Sequence, residues 1–245
     1  MQIRLSDHFT YRRLLRFTLP SVVTMIIASI YSVVDGLFVS NLVGAMALSA
    51  INIAFPVTMI IGAVGFMLGT GGSALVAKTL GEGKKELANQ YFSMLIYSMI
   101  GIGAALTILA LLFVRPIMGI AGASDLLMED CVIYGTILLA GNVPFMLQVS
   151  FQNFFAVNEK PILGLVLSIA SGVTNMALDY VFIAVLKMGV AGAALATVMG
   201  YIVGGGIPLL YFAKKKGAWT TAGKTKILWK TASTGCFQWF LGIDE

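Results

Sequence analysis

Six apolar stretches of membrane-spanning length divide this chain and leave no room for a soluble domain. They cover residues 17–40, 51–77, 90–113, 130–153, 161–186 and 190–213. A helix needs about 20 apolar residues to cross the hydrocarbon core of a bilayer. Charged residues make up only 11% of the chain and the mean hydropathy is +0.92, whereas soluble domains carry about 25% charged residues. The sequence therefore predicts an all-α membrane protein with six transmembrane helices.

The basic residues predict how these helices are oriented. All of the 16 lysines and arginines except Arg115 and Lys187 lie in the N-terminus or in segments that fall on the same side of the membrane. The positive-inside rule then places both termini in the cytoplasm and the loops at 41–50, 114–129 and 187–189 outside. Because the basic residues separate apolar stretches instead of forming one face, a nucleic-acid partner is excluded. We expect a multi-pass protein of the cell membrane, in contact with the lipid bilayer.

Three regions follow from this pattern. Residues 1–16 are basic and amphipathic, as in a segment that lies on the cytoplasmic membrane surface. Residues 17–213 form the six-helix body, and residues 214–245 form a basic linker and an atypical tail. The two cysteines, Cys131 and Cys236, lack the spacing of a disulfide framework or metal site, and the single histidine, His8, has no spaced partners. We therefore expect no resident cofactor and no enzyme activity of the histidine-dependent kind.

Two aspartates lie inside apolar stretches and are the strongest candidates for function. Asp179 follows Asn175 by four residues within 168–185, so a helix places both on one face, and Asp35 lies within IYSVVDGLFVS. An ionisable residue at membrane depth costs about 2.5–3.5 kcal/mol on insertion scales and usually faces a bundle interior or a wet cavity. Two such carboxylates can share a proton, or join amide and backbone oxygens in binding Na⁺. The residues alone leave both alternatives open, as well as a purely structural role.

A pair of membrane aspartates also occurs in intramembrane aspartyl proteases, where the two carboxyl groups activate water. Such enzymes are expected to show YD and GxGD motifs. The aspartates here lie in VVDGL and ALDYV instead. The protease is therefore a remote alternative, and we predict that the protein is not an enzyme.

Glycines and prolines in the apolar stretches predict close helix packing and bends. Gly65 and Gly69 in GFMLG, and Gly200 and Gly204 in GYIVG, have the small-xxx-small spacing that lets helix backbones approach. Pro56 and Pro144 lie within stretches and are expected to kink them. The four glycines are thus interpreted as packing residues, with a flexing element as the alternative.

Several motifs, in order, give the chain a resemblance to the multidrug and toxic compound extrusion (MATE) transporters. They are DGLFVSNLVGAMALSAINIAFP, GTGGSALVAKTLGEGKKELAN, FQNFFAVNEKPILGL and SGVTNMALDYVFI. The resemblance spans roughly residues 10–215 and implies an antiporter that expels amphipathic, often cationic drugs in exchange for H⁺ or Na⁺. The positions that match the family's cation site are Asp35, Asn175 and Asp179. Those that match its supporting polar network are Tyr134, Asn153 and Thr197.

The chain departs from this family in length. The family has twelve helices in two related six-helix lobes, whereas this sequence contains one such lobe followed by the tail TASTGCFQWFLGIDE, which is too short and too polar for a seventh span. We interpret the chain as a half-length form, truncated or frameshifted shortly after Trp229. Such a chain is expected to pair with a second lobe or with a second copy of itself, or else to be incompetent for transport.

Overall fold

The computed structural model describes residues 11–214 of the chain, and every regular element in this part is helical. Eight α-helices and one π-helix follow one another with short connections. They are α1 (Tyr11–Leu42), α2 (Ala45–Gly81), α3 (Lys85–Leu112), α4 (Val114–Ile120), α5 (Met128–Ala140), α6 (Asn142–Val157), α7 (Pro161–Asp179), the π-helix (Tyr180–Val185) and α8 (Gly189–Lys214). The predicted interfacial segment and the tail at 215–245 lie almost wholly outside the described residues.

The predicted membrane helices are confirmed, with one of them broken. Five helices in the described part are long and apolar enough to cross a bilayer, and α5 and α6 together form a sixth span that bends by 54°. The bend has a local cause, because Pro144 has no N–H to donate to the carbonyl of Ala140 and its ring crowds that carbonyl. Accordingly α5 ends at Ala140. Pro56, by contrast, lies inside an uninterrupted α2.

The loop predicted at 41–50 is much shorter than expected. Only Val43 and Gly44 separate α1 from α2, and Gly44 has a φ of 123°, which a residue with a side chain rarely adopts. The chain can therefore reverse within two residues, and α2 extends over 37 residues. A helix of this length is about 55 Å long at 1.5 Å per residue, so it projects beyond the hydrocarbon core at its ends.

Two buried apolar clusters mark the two ends of the bundle. The first includes Val39, Ala50, Met118, Cys131, Tyr134, Ile183 and Ala194. The second is rich in aromatic side chains and includes Tyr91, Phe92, Phe151, Phe154, Phe155 and Phe212. Segments predicted to be outside pack on the first cluster, through Val43, Val114 and Leu127. Residues beside the basic turns pack on the second, through Leu80, Leu87 and Val157. The spans therefore alternate in direction as the charge pattern predicted.

The glycine spacings identify close helix contacts, as predicted. A Cβ built on Gly65 would lie 2.8 Å from the Cα of Met146, and one on Gly69 would lie 2.9 Å from the Cα of Ser150. The Ser150 hydroxyl in turn donates to the carbonyl of Gly65 at 3.1 Å. These contacts hold α2 against α6 with the two backbones almost touching.

The side of the membrane that each end faces can be tested by cysteine labelling. In a background with Cys131→Ala and Cys236→Ser, Ser124→Cys places a thiol at the exposed end beside the first cluster, and Glu86→Cys places one beside the basic turn. We expect an impermeant maleimide to label Ser124→Cys in intact cells and Glu86→Cys only after permeabilisation. The reverse pattern would contradict the predicted cytoplasmic termini.

Candidate cation site

The carboxyl groups of Asp35 and Asp179 meet where α1 packs against the end of α7. Their side chains lie within hydrogen-bonding reach of each other, and Asp179 is fully buried. Asp35 Oδ1 and both Asp179 oxygens are buried, and no hydrogen-bond donor of the described residues faces them. Two carboxylates at this separation repel each other strongly unless a proton or a cation lies between them.

Asp179 is the last residue of α7 before the helix widens. The π-helix Tyr180–Val185 follows it directly, and the chain then turns through Lys187 and Gly189, whose φ values are 52° and 62°. Short π-helical turns occur mostly within α-helices and frequently at functional sites. Here the widened turn ends the α7 face that carries Asn175 and Asp179 and leads the chain back into α8.

Asn175 joins the site through Thr197 on α8. The Asn175 side chain is 5% exposed, and its Nδ2 donates to Thr197 Oγ1 at 3.4 Å. The Thr197 hydroxyl donates to the carbonyl of Ala193 at 3.0 Å. This arrangement commits the nitrogen of the Asn175 amide and leaves its Oδ1 buried without a donor. The supporting role predicted for Thr197 stays a prediction, and in the structure its hydroxyl binds the amide nitrogen and not the amide oxygen.

Tyr134 and Asn153 were both predicted to support the site, and the structure separates them. Tyr134 on α5 is 2% exposed and lies close enough to Asp35 and Asp179 for their charges to interact with its hydroxyl. Asn153 instead lies on α6 between Phe151 and Phe154, which belong to the cluster at the other end of the bundle. Asn153 is therefore not brought to the aspartates, because the bend between α5 and α6 is followed by three helical turns that lead away from them.

The structure adds two tyrosines that the sequence interpretation missed. Tyr31 packs against α7, where a Cβ on Gly172 would lie 3.0 Å from its ring, and it is an electrostatic neighbour of Asp35. Tyr201 on α8 is near enough to both Asp35 and Tyr31 to interact with them electrostatically. A periodic signal was present, since Tyr31 precedes Asp35 by four residues and Tyr201 follows Thr197 by four.

The site is rich in acceptors and poor in donors. Four of its buried oxygens have no donor among the described residues, namely Asp35 Oδ1, Asn175 Oδ1 and the two oxygens of Asp179. Carboxylate and amide oxygens are hard ligands that suit Na⁺, and a carboxylate pair also suits a proton. Within residues 11–214 no three histidine, cysteine, aspartate or glutamate side chains are grouped as transition metals prefer. The cation site at Asp35, Asn175 and Asp179 stays a prediction, for which these buried oxygens supply suitable ligands.

Comparison with known proteins supports the family that the sequence motifs indicated. The family model described as MatE matches residues 20–181. The chain is 26% identical over 206 residues to the multidrug export protein MepA of Staphylococcus haemolyticus, covering 84% of this chain and 45% of that protein. It is 27% identical over 202 residues to the FAD transporter of Shewanella oneidensis, covering 78% of this chain and 43% of the relative.

A solved structure agrees with the fold. The crystal structure of MATE in the bent conformation matches with a TM-score of 0.77 at 26% identity, over 84% of this chain and 46% of the other. The chain thus spans about half the length of the relatives that it matches. Nothing in these matches supports the protease alternative. Because the family model covers most of the six-helix body, the chain belongs to the MatE family of multi-pass membrane transporters, which confirms the resemblance.

Proposed function

We propose that this chain is one lobe of an antiporter that exports amphipathic, often cationic compounds in exchange for H⁺ or Na⁺. The observation that carries the proposal is the buried contact between Asp35 and Asp179, three of whose four carboxyl oxygens are buried with no donor in the described chain. A transporter that couples to a cation needs a membrane-embedded site with just this shortage of positive charge. Asn175 supplies a further oxygen, and Tyr134 and Thr197 support it.

The coupling mechanism follows from which helix is least tightly packed. Only 6% of the most apolar window of α1 is buried, against 39% for α8. Binding of a proton or Na⁺ neutralises the carboxylate pair and draws α1 towards α7, whereas loss of the cation restores the repulsion. Because α1 is the least buried of the five single-helix spans, it is the helix that repacks when the charge of the pair changes. A cation that binds more tightly to one packing of α1 against α7 shifts the population of the protein towards that packing. This shift favours release of the drug.

The nature of the exported compound is the second part of the proposal. The relatives named as multidrug export proteins support the export of several drugs, which the family resemblance makes amphipathic and often cationic. The relative named as an FAD transporter favours a second candidate, a flavin dinucleotide. In either case the matching half of each relative implies that a second lobe, or a second copy of this chain, completes the translocation cleft.

Efflux from everted membrane vesicles tests the proposal. The chain is produced alone and together with the C-terminal half of a relative, and ethidium and FAD transport are followed with an imposed proton or Na⁺ gradient. We expect gradient-dependent ethidium transport when both lobes are present. Transport of FAD but not ethidium would support the second candidate. Absence of any gradient-dependent transport, with both halves inserted in the membrane, would contradict the antiporter.

A further inference from the structure

A row of polar side chains continues from the candidate cation site along one face of α7. Ser168, Ser171, Asn175 and Asp179 are spaced by three or four residues, so they lie one above the other on the helix. We refer to these four residues and their partners as the polar seam. It begins at the aspartates, beside the first cluster, and ends near Phe151 and Phe155 of the second cluster.

Each residue of the seam below the aspartates has a side-chain partner on a neighbouring helix. Gln148 Nε2 on α6 donates to Ser171 Oγ at 3.3 Å, and Ser171 donates to the carbonyl of Gly200 at 2.7 Å. One turn further along, Gln152 Nε2 donates to Ser168 Oγ at 2.9 Å. Three helices, α6, α7 and α8, therefore contribute polar groups to one continuous line.

Gln148 is the residue of this line whose side chain is buried but only partly hydrogen-bonded. It is 9% exposed, and its Oε1 is buried with no donor among the described residues. The described part of the chain has five such buried oxygens, and the other four belong to Asp35, Asn175 and Asp179. All five are acceptors, so the Gln148 oxygen shares with the cation site the lack of a hydrogen-bond donor.

A small cavity lies beside this oxygen. Gln148, Gln152, Ser168 and Gly204 line it together with Phe151 and other apolar groups, and its size suits about one water molecule. The Gln148 oxygen is directed to the side of Gly204, where a built Cβ would lie 2.8 Å from it. The absence of a side chain at Gly204 makes room for the Gln148 side chain, whose Cδ would lie only 2.6 Å from a built Cβ. The Ser168 hydroxyl accepts from Gln152, so its own hydrogen is available to a ligand in the cavity.

We infer that the Gln148 oxygen and the Ser168 hydroxyl hold a water molecule in this cavity, and that the seam is the route by which monovalent cations and water pass between Asp179 and the basic end of the bundle. In the proposed antiporter, a cation taken up from outside would leave Asp179 along this route. Such a water accepts a hydrogen bond from Ser168, donates one to Gln148 Oε1, and offers its own oxygen to a passing cation. The route deepens the proposed function, on which its role in coupling rests. Its existence as a path is a separate property that is tested without any transport measurement.

Accessibility of a thiol to Ag⁺ tests the route. Ag⁺ is a small monovalent cation that binds a thiol irreversibly, with release of the thiol proton, and so reports where such cations penetrate. In the background with Cys131→Ala and Cys236→Ser, Ser171→Cys places the thiol in the seam. We expect rapid modification when Ag⁺ is added at the membrane face that carries Lys84 and Lys85. The fraction of introduced thiols that Ag⁺ has not bound is measured by maleimide labelling after the protein is denatured.

Variants then identify the residues of the path. Gln148→Leu and, as a second variant with little effect on packing, Ser168→Ala should each slow the modification at least about tenfold. Asn142→Leu is the matched control, because it removes a buried amide of α6 that pairs with Thr107, away from the seam. It should leave the rate within about twofold. Unchanged rates in both Gln148→Leu and Ser168→Ala, or faster entry from the face that carries Arg115, would overturn the route.

The outcomes separate this inference from the antiporter itself. Slowed Ag⁺ entry in the seam variants, combined with normal efflux after Asp179→Asn, would establish the route and reject the proposed cation site. Unchanged Ag⁺ entry combined with lost efflux after Asp179→Asn would reject the route and retain the site.

Discussion

Replacing Asp179 by asparagine should abolish cation-coupled efflux while leaving the protein inserted and folded. The asparagine amide has the same shape as the carboxyl group, yet it neither takes up a proton nor carries the charge that holds Na⁺. We expect at least a tenfold loss of gradient-dependent ethidium efflux in everted vesicles that contain both lobes. Purified protein in detergent should also lose the uptake of one proton or Na⁺, which is a readout that does not depend on the second lobe.

The stability of this variant distinguishes a functional carboxylate from a structural one. Both oxygens of Asp179 are buried without a donor, whereas an asparagine supplies an N–H that can face Asp35 Oδ1. Satisfying a buried acceptor is worth about 1–3 kcal/mol, so the free energy of unfolding should not fall. A carboxylate kept only for packing would give the opposite result, with stability lost and efflux retained.

The matched control is Asp125→Asn, the same substitution at an exposed position in the connection between α4 and α5. It should change neither efflux nor cation uptake. Equal losses in Asp125→Asn and Asp179→Asn would show that the assay reports the protein's net charge and not the site.

The sequence predicted those features that depend on one helix at a time. The apolar stretches gave the spans, and Pro144 gave the break that ends α5 at Ala140. Asn175 and Asp179 share a face because a four-residue spacing fixes this in any α-helix. The loop at 41–50 was predicted too long because a tight reversal depends on the φ of Gly44, which hydropathy does not report.

The sequence could not show which helix faces meet. Tyr134 and Asn153 are both polar residues in the same apolar stretch, yet the 54° bend between α5 and α6 leaves only Tyr134 near the aspartates. The contact between Asp35 on α1 and Asp179 on α7 was expected because both are aspartates at membrane depth, and no sequence spacing could fix it. Gln148 was visible only as a polar residue at membrane depth. Its unpaired oxygen appears only when α6, α7 and α8 are packed together.

The three consecutive glycines of α8 also show that the sequence does not reveal which helix faces meet. Substitutions at two of them should change the stability of the protein by a large amount. Gly204, Gly205 and Gly206 are indistinguishable by residue type, but their surroundings differ. A Cβ on Gly205 would lie 2.5 Å from the backbone carbonyl oxygen of Pro144, whereas the nearest atom to a Cβ on Gly206 is a side-chain carbon of Ile202 at 3.9 Å. One position is closed by another helix's backbone, and its neighbour is open.

We therefore expect Gly205→Ala and Gly206→Ala to change stability in opposite directions. The carbonyl of Pro144 cannot rotate away as a side chain would, so Gly205→Ala must push α8 from α6 and should lower the free energy of unfolding by about 1–3 kcal/mol. Gly206→Ala meets open space and gains helix propensity, so it should raise that free energy by up to about 1 kcal/mol. Unfolding by an ionic detergent, followed by circular dichroism, measures both. The bend at Pro144 sets where α6 meets α8. Equal effects at Gly205 and Gly206 would show that these two helices do not pack at Gly205. That result would also remove the structural basis for the cavity beside Gln148.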